Sequence, residues 1–205
     1  MVGAVSLSRL DAATLWADIE AAGPRSHAYL GSASVDSDDE VRSEHARRRS
    51  FIAYYSYSVP THAAIAQVAN FVGTRSMLEV CAGAGLWARL LASAGVDVVA
   101  TDGAKLRIAP FYQIHELEAE AAVRAHPDRD ALLLCWPPDK YDVAYRALCA
   151  FTGDRLVCVG DPRFIADVNF HARLASEWVR EEGQPLPSWP GVVDSLALFS
   201  KSQPI

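Results

Sequence analysis

The 205-residue sequence is poor in cysteine and has no long apolar run. Its four cysteines lack the C-x-x-C spacing of metal and redox sites, so we interpret them as reduced thiols and expect no metal site. No apolar stretch is long enough to cross a membrane, and the N-terminus lacks the basic start and apolar segment of a signal peptide. These absences predict a cytoplasmic protein that does not act in a membrane.

Positive charge is also scarce, because the formal net charge is -6. Long duplex nucleic acid is therefore not the expected partner, since neutralising its phosphates requires a basic face. The one basic run, residues 47–49, is interpreted as a solvated helix end. Apolar residues make up 51% of the chain, which is enough for one globular domain with a full core. The composition does not indicate an oligomeric state.

Residues 77–102 carry the most information about function. A short apolar strand that contains Glu79 is followed by residues 82–85, which have almost no side chains. The pattern then predicts a helix over residues 86–94 and a second apolar strand that leads to Asp102. The order of strand, glycine turn, helix, strand and acid is that of half a nucleotide-binding Rossmann-like unit.

The residue types suit a nucleoside ligand. Gly83 and Gly85 allow a strand to turn directly into a helix, and they leave room for a ligand across the turn. The helix directs free N–H groups and its positive dipole end at that ligand. Asp102 follows the second strand, where its carboxylate can accept hydrogen bonds from both ribose hydroxyls.

Two cofactors fit this pattern. Residues 83–88 match the dinucleotide signature G-x-G-x-x-A, with Asp102 about 20 residues further on. The acid Glu79, followed by small residues at alternate positions, fits S-adenosylmethionine instead, because an acid there helps to hold the cationic methionine end. The sequence favours S-adenosylmethionine over NAD, and over a glycine turn without a ligand.

The chain resembles the class I S-adenosylmethionine-dependent methyltransferases. It is most similar to small members that carry E-I-G-A-G-T-G-Y-W-A, V-D-V-V-A-x-D, L-L-L-C-W-P-P and a tail of the type W-P-G-x-x-D-x-L. The corresponding segments are residues 79–88, 96–102, 132–138 and 189–196. The likeness covers about residues 54–200. It departs at Cys81, which replaces the first glycine of the signature, and at Ala84, which replaces the usual threonine.

The resemblance and the alternation of strands with helices imply an α/β Rossmann-like methyltransferase fold. We expect a mostly parallel sheet of about six to seven strands, helices on both faces and an antiparallel last strand. Residues 1–53 are predicted to form an N-terminal helical extension, and residues 54–205 the S-adenosylmethionine-binding domain. Further helices are predicted over residues 10–22, 42–54, 61–71, 116–125, 141–151 and 164–179, and strands over residues 111–115, 131–136, 156–160 and 194–200. Residues 31–40 are interpreted as a surface loop or mobile segment.

Ligands in such sheets bind at the carboxyl ends of the strands, and polar or aromatic groups follow every predicted strand. In amine methyltransferases a polar residue, two prolines and an aromatic frame the acceptor at the fourth strand; here Trp136 precedes Pro137 and Pro138, and Asp139 follows. Asp161, Asp139 and His115 are candidate bases by location only. The resemblance also implies that Tyr57 and Ser58 close over the methionine end. The predicted cofactor-binding residues are Tyr57, Glu79, Ala82, Gly83, Gly85 and Asp102, and the predicted catalytic residues are Trp136, Pro137, Pro138 and Asp161.

The sequence therefore predicts an S-adenosylmethionine-dependent methyltransferase that acts on an N or O atom of a small molecule, nucleotide or peptide. One alternative is an NAD(P)-dependent oxidoreductase, although no clear Tyr/Lys or His/Asp pair for hydride transfer is present. The other is a non-catalytic methyltransferase-like domain that binds a partner through its N-terminal extension, with a cofactor site weakened at Cys81.

Overall fold

The computed structural model describes residues 11–24, 38–105 and 108–202. Within these residues the chain forms seven helices and one seven-stranded sheet. The helices are α1 (Ala12–Ala22), α2 (Asp38–Tyr54), α3 (His62–Val72), α4 (Leu86–Ser93), α5 (Ala119–Ala125), α6 (Val143–Ala150) and α7 (Val168–Glu177). The strands are β1 (Ser76–Val80), β2 (Asp97–Asp102), β3 (Ile114–Glu116), β4 (Ala131–Cys135), β5 (Arg155–Gly160), β6 (Trp178–Pro185) and β7 (Ser195–Lys201).

The strand order in the sheet is β3-β2-β1-β4-β5-β7-β6. The pairs from β3 to β5 are parallel, whereas β7 runs antiparallel to both of its neighbours. In the central register, Leu78 of β1 lies opposite Val99 of β2 and Leu132 of β4. The predicted mostly parallel sheet with an antiparallel last strand is thus confirmed.

Helices cover both faces of the sheet, as predicted. Every residue of β4 is buried, which a strand needs when it is packed on two sides. Leu133 belongs to a core that includes buried side chains of α1 to α4. Leu132 and Leu134 point the other way, into a second core that includes α5, α6 and α7. The central strands therefore hold their carboxyl ends in a rigid frame.

The described N-terminal helices share the larger core with the sheet. Leu15 and Ile19 of α1 and Phe51 of α2 are all buried in it. The predicted solvated role of residues 47–49 is wrong for Arg47, because its guanidinium donates to the carbonyls of Ala21 and Gly23 at the end of α1. These carbonyls lie where helix α1 leaves acceptors unpaired, so Arg47 ties α1 to α2. The division of the chain at residue 53 stays a prediction.

Several predicted boundaries differ from the structure. The helix predicted over residues 164–179 is confined to α7, and the chain then enters β6, which the sequence did not predict. Strand β3 lies at Ile114–Glu116, beyond most of the predicted 111–115. Residues 38–40 of the predicted loop belong to α2, and the remainder of that loop lies outside the described residues. None of the described helices is long and apolar enough to span a bilayer.

Candidate functional site

The turn from β1 to α4 contains three left-handed residues within five positions. Cys81, Gly83 and Gly85 have φ values of 56°, 55° and 74°. A Cβ placed on Gly83 would meet nothing within 4 Å, whereas one on Gly85 would lie 2.6 Å from Cδ1 of Ile114. Gly83 therefore leaves an open surface for a ligand, and Gly85 allows residue 114 to pack closely on the turn.

Glu79 of β1 lies buried beneath this turn. Its Oε2 accepts a hydrogen bond of 2.9 Å from the backbone N–H of Ala88, in the first turn of α4. Burial raises the pKa of Glu79 to about 8; the bond from Ala88 opposes the rise, and the charge of Asp102 adds to it. The carboxyl group is therefore mostly protonated at neutral pH.

Asp102, at the end of β2, ties its strand to the glycine turn. Its Oδ2 accepts from the N–H of Gly83 at 2.7 Å, and its Oδ1 accepts from the N–H of Ala104 at 2.8 Å. A carboxylate offers about four acceptor positions, so both oxygens keep capacity for a further donor. Its role toward ribose hydroxyls stays a prediction.

Trp136 directly follows β4 and also has a left-handed backbone, with φ 49°. Its backbone N–H donates to the carbonyl of Val159 at 2.9 Å, and its indole N–H donates to Oδ1 of Asp194 at 3.0 Å. The ring of Tyr57 stacks on the indole with a centroid separation of 5.8 Å, and the guanidinium carbon of Arg48 lies 5.7 Å from the indole centroid. The indole is thus held from several sides.

These elements surround one cavity of about 650 Å³ at the carboxyl ends of β1, β2 and β4. Most of the predicted site residues line it, and so does the candidate base Asp139. The predicted residues that the cavity brings together are Tyr57, Glu79, Ala82, Gly83, Asp102, Trp136, Pro137 and Pro138. Gly85, Asp161, Ser58 and His115 are not among its lining residues.

Asp161 instead anchors the loop after β5. Both of its carboxylate oxygens accept from the guanidinium of Arg163, and Oδ2 also accepts from the N–H of Val193 at 2.7 Å. Burial favours the neutral acid, but these hydrogen bonds outweigh it and hold the pKa of Asp161 below its usual range. A carboxylate with this many donors has little basicity left, and of the three candidate bases only Asp139 is among the residues that line the cavity.

Two cysteines, Cys81 and Cys135, line the cavity. Burial raises the pKa of Cys81 to about 12, with a further contribution from the nearby carboxylates, first among them Asp102. Burial likewise holds the pKa of Cys135 well above its usual range. Both thiols are therefore protonated at neutral pH and are poor nucleophiles.

Sequence reasoning did not identify Asp194 and Arg48 as parts of this region. Asp194 is the aspartate of the tail motif at residues 189–196, so a signal for it was present. For Arg48 the only signal was the basic run, and a basic run by itself indicates a solvated surface more often than a contact with an aromatic ring.

Comparisons with protein-family models and with the sequences of curated proteins find no match. Solved structures do resemble the chain. Burkholderia thailandensis 1,6-didemethyltoxoflavin-N1-methyltransferase, with bound 1,6-didemethyltoxoflavin and S-adenosylhomocysteine, matches 95% of this chain over 92% of its own, with 15% identity and a TM-score of 0.53. The N-methyltransferase NodS from Bradyrhizobium japonicum, in complex with S-adenosylhomocysteine, matches 69% of this chain over 86% of its own, with 13% identity and a TM-score of 0.54.

TrmN from Thermus thermophilus matches 68% of this chain with 16% identity and a TM-score of 0.50, and the chain spans about half of that protein's length, 48%. At these identities the likeness shows the fold alone. The chain has a Rossmann-like methyltransferase fold.

Proposed function

We propose that this protein is an S-adenosylmethionine-dependent methyltransferase that moves a methyl group to an N or O atom of a small molecule, nucleotide or peptide. The observation that carries the proposal is the joint cavity in which the open face of Gly83, the acids Glu79 and Asp102, and the indole of Trp136 meet. The fold places this cavity at the carboxyl ends of the central strands, where ligands of such sheets bind. Two structural neighbours carry S-adenosylhomocysteine.

The residues present fit the nucleoside part of this cofactor. Gly83 lines the cavity, and the space beside it is open, because a Cβ there would meet nothing within 4 Å. Beside it, Asp102 is held by two backbone donors and retains acceptor capacity for ribose hydroxyls. The two glycines of the turn thus have different proposed roles: Gly83 contacts the cofactor, and Gly85 leaves room for Ile114.

Charge separates this cofactor from a dinucleotide. The described lining of the cavity contains four carboxyl groups and no lysine or arginine; the four are Glu79, Asp102, Glu118 and Asp139. Glu79 is mostly protonated at neutral pH, so the other three acids provide the charge that attracts a ligand with sulfonium and ammonium groups and repels a pyrophosphate. At α4, moreover, the N–H of Ala88 is already bonded to Glu79, which removes a donor that a phosphate would use.

At the other end of the cavity, Trp136, Pro137 and Pro138 form the proposed acceptor wall. When bound, the cofactor supplies an electrophilic methyl group on its sulfonium. The protein's part is to align the acceptor atom with that methyl and to exclude water, and the rigid backbone of two prolines suits this task. Asp139 lines the same end and is the proposed acceptor of a proton.

A thermal-shift and calorimetry series with S-adenosylmethionine, S-adenosylhomocysteine and NAD tests the proposal. We expect the two sulfur compounds to stabilise the protein by mass action, by about 2.7 kcal/mol at a hundredfold excess over Kd, and NAD to have no effect. Stabilisation by NAD alone would overturn the proposal in favour of an oxidoreductase. Absence of binding by all three compounds to a folded protein would favour a non-catalytic domain.

A further inference from the structure

Asp194 is a buried acid that the proposed chemistry does not use. It lies directly before β7, and no part of it is exposed. Its main chain is fixed on both sides, because its N–H donates to Oγ of Ser188 at 2.9 Å and its carbonyl accepts from the N–H of Leu186 at 2.9 Å. A carboxylate held in this way can act as a rigid reference point for whatever it bonds.

The group that Asp194 bonds is the indole N–H of Trp136, at 3.0 Å. This bond is selective. Trp87 and Trp189 are also buried, yet their indole N–H groups have no hydrogen-bond partner among the described residues. The fold tolerates an unpaired indole in its core but provides an acid for the one that faces the cavity.

The surroundings of the indole are fitted to this position. A Cβ on Gly160 would lie 3.1 Å from both Nε1 and Cδ1 of Trp136, so the absence of a side chain there makes room for the ring. The left-handed backbone of Trp136 and the stacked ring of Tyr57 complete the arrangement. Bond, fit and stacking all fix one ring orientation.

We propose that Asp194 is a positioning residue, which holds the indole of Trp136 in the wall of the cavity and, through it, fixes the stacked ring of Tyr57. The proposal rests on the proposed function only in that the cavity receives a methyl acceptor. Three groups act on the carboxyl group of Asp194 from neighbouring elements: Ser58, Arg48 and Asp161. The hydroxyl of Ser58 and Oδ2 of Asp194 are both buried, and neither makes a hydrogen bond of ordinary geometry with a described residue. Ser58 is nevertheless close enough to act on the carboxyl group of Asp194.

Nuclear magnetic resonance of ¹⁵N-labelled protein tests this directly. The five tryptophans give at most five indole N–H cross-peaks, and the peak lost in Trp136→Phe identifies Trp136. In Asp194→Ala we expect this proton to exchange with solvent roughly tenfold faster or more, because the indole N–H loses its acceptor. In Asp194→Asn the amide oxygen still accepts from the indole, so the peak should stay protected.

The Asn variant also separates positioning from packing. Burial raises the pKa of Asp194 to about 7, so the wild-type Trp136 peak should move with pH around neutrality as its acceptor gains charge. The movement centred near pH 7 should vanish in Asp194→Asn, in which only Glu79, with a pKa of about 8, still titrates near neutrality among the described residues that line this cavity. Asp167→Ala is the matched control, because it removes only the N-cap of α7, where Asp167 accepts from the N–H groups of Asn169 and Phe170. It should lower Tm and leave the Trp136 peak unchanged.

The proposal would be overturned if the Trp136 indole proton exchanged as slowly in folded Asp194→Ala as in wild type. It would also be overturned if the Ala and Asn variants lost the same amount of protection. If the Ala variant does not fold, the Asn variant decides: a Trp136 peak that still titrates near pH 7, or that loses protection, contradicts the assignment. Addition of S-adenosylhomocysteine should shift the Trp136 peak in wild type and Asn variant more than in the Ala variant. If this compound binds none of them, the proposed function fails while the exchange data still decide the role of Asp194.

Discussion

Glu79 gives the sharpest quantitative prediction, because its side chain is buried and has one hydrogen bond, from the N–H of Ala88. The perturbation is Glu79→Gln, which keeps an oxygen for that bond and removes the ionisation. With a folded-state pKa of about 8 against an unfolded value of 4.5, the folded protein binds more protons than the unfolded chain between these two values. The contribution of Glu79 to stability must therefore fall as pH rises through this window and level off above pH 8.

The magnitude follows from the shift. Two pH units, from pH 5 to pH 7, correspond to roughly 3 kcal/mol at 1.36 kcal/mol per unit. The Gln variant lacks this contribution. The difference in free energy of unfolding, variant minus wild type, should therefore rise by roughly 3 kcal/mol from pH 5 to pH 7. Asp194 also has a raised pKa, of about 7, but it is present in both proteins and cancels in the difference.

Urea unfolding of both proteins at pH 5, 6, 7 and 8 measures this difference. A Gln side chain adds a buried N–H₂ group whose cost does not change with pH, so the slope, and not the offset, carries the prediction. A difference that stays constant from pH 5 to pH 8 would mean that Glu79 ionises normally in the folded protein. The burial argument for its raised pKa would then be refuted.

Two further predictions concern the glycine turn and the end of β2. Asp102→Ala should weaken S-adenosylhomocysteine binding at least about tenfold in calorimetry, because hydrogen bonds to a charged group contribute roughly 1.5–3 kcal/mol each. It should also lower Tm, since the N–H groups of Gly83 and Ala104 lose their acceptor. Unaltered affinity would contradict the ribose role. Gly83→Ala and Gly85→Ala each introduce a left-handed alanine at a cost of about 1–2 kcal/mol, but only the alanine at position 85 overlaps Ile114. Gly85→Ala should therefore lower Tm more, whereas Gly83→Ala should weaken cofactor binding more. Equal effects of the two variants on both Tm and affinity would refute the division of roles.

The sequence predicted the parallel half of the sheet well because its signals are local. Strand β4 is a continuous apolar run, and the turn after β1 is marked by its glycines, so burial and backbone conformation could both be inferred from neighbouring residues. The predicted helix over residues 164–179 failed at its end for the opposite reason. Residues 178 and 179 belong to β6, which gains its hydrogen bonds by pairing with the next strand, β7, and the local helical pattern carries no sign of that pairing.

The candidate site shows the same division. Residues next to a strand end, such as Asp102 and Trp136, were found because topology alone brings strand ends together. Asp161 also follows a strand, yet its partners are Arg163 and Val193, and nothing in its spacing distinguishes an anchored carboxylate from a free one. Asp194 was missed as a functional residue because its importance depends on one side-chain contact across 58 positions of sequence.

Two departures from the resembled pattern gain a physical interpretation in the structure. Cys81 replaces a glycine, and Trp136 precedes the prolines where a polar residue is expected. Both have left-handed backbones, and they follow the neighbouring strands β1 and β4. Such a conformation costs about 1–2 kcal/mol for a residue with a side chain and persists only where the surrounding structure enforces it. Two of the three described non-glycine residues with a positive φ thus line the cavity where the proposed cofactor and acceptor meet, which is where a rigid wall is needed; the third, Ala166, lies outside its lining.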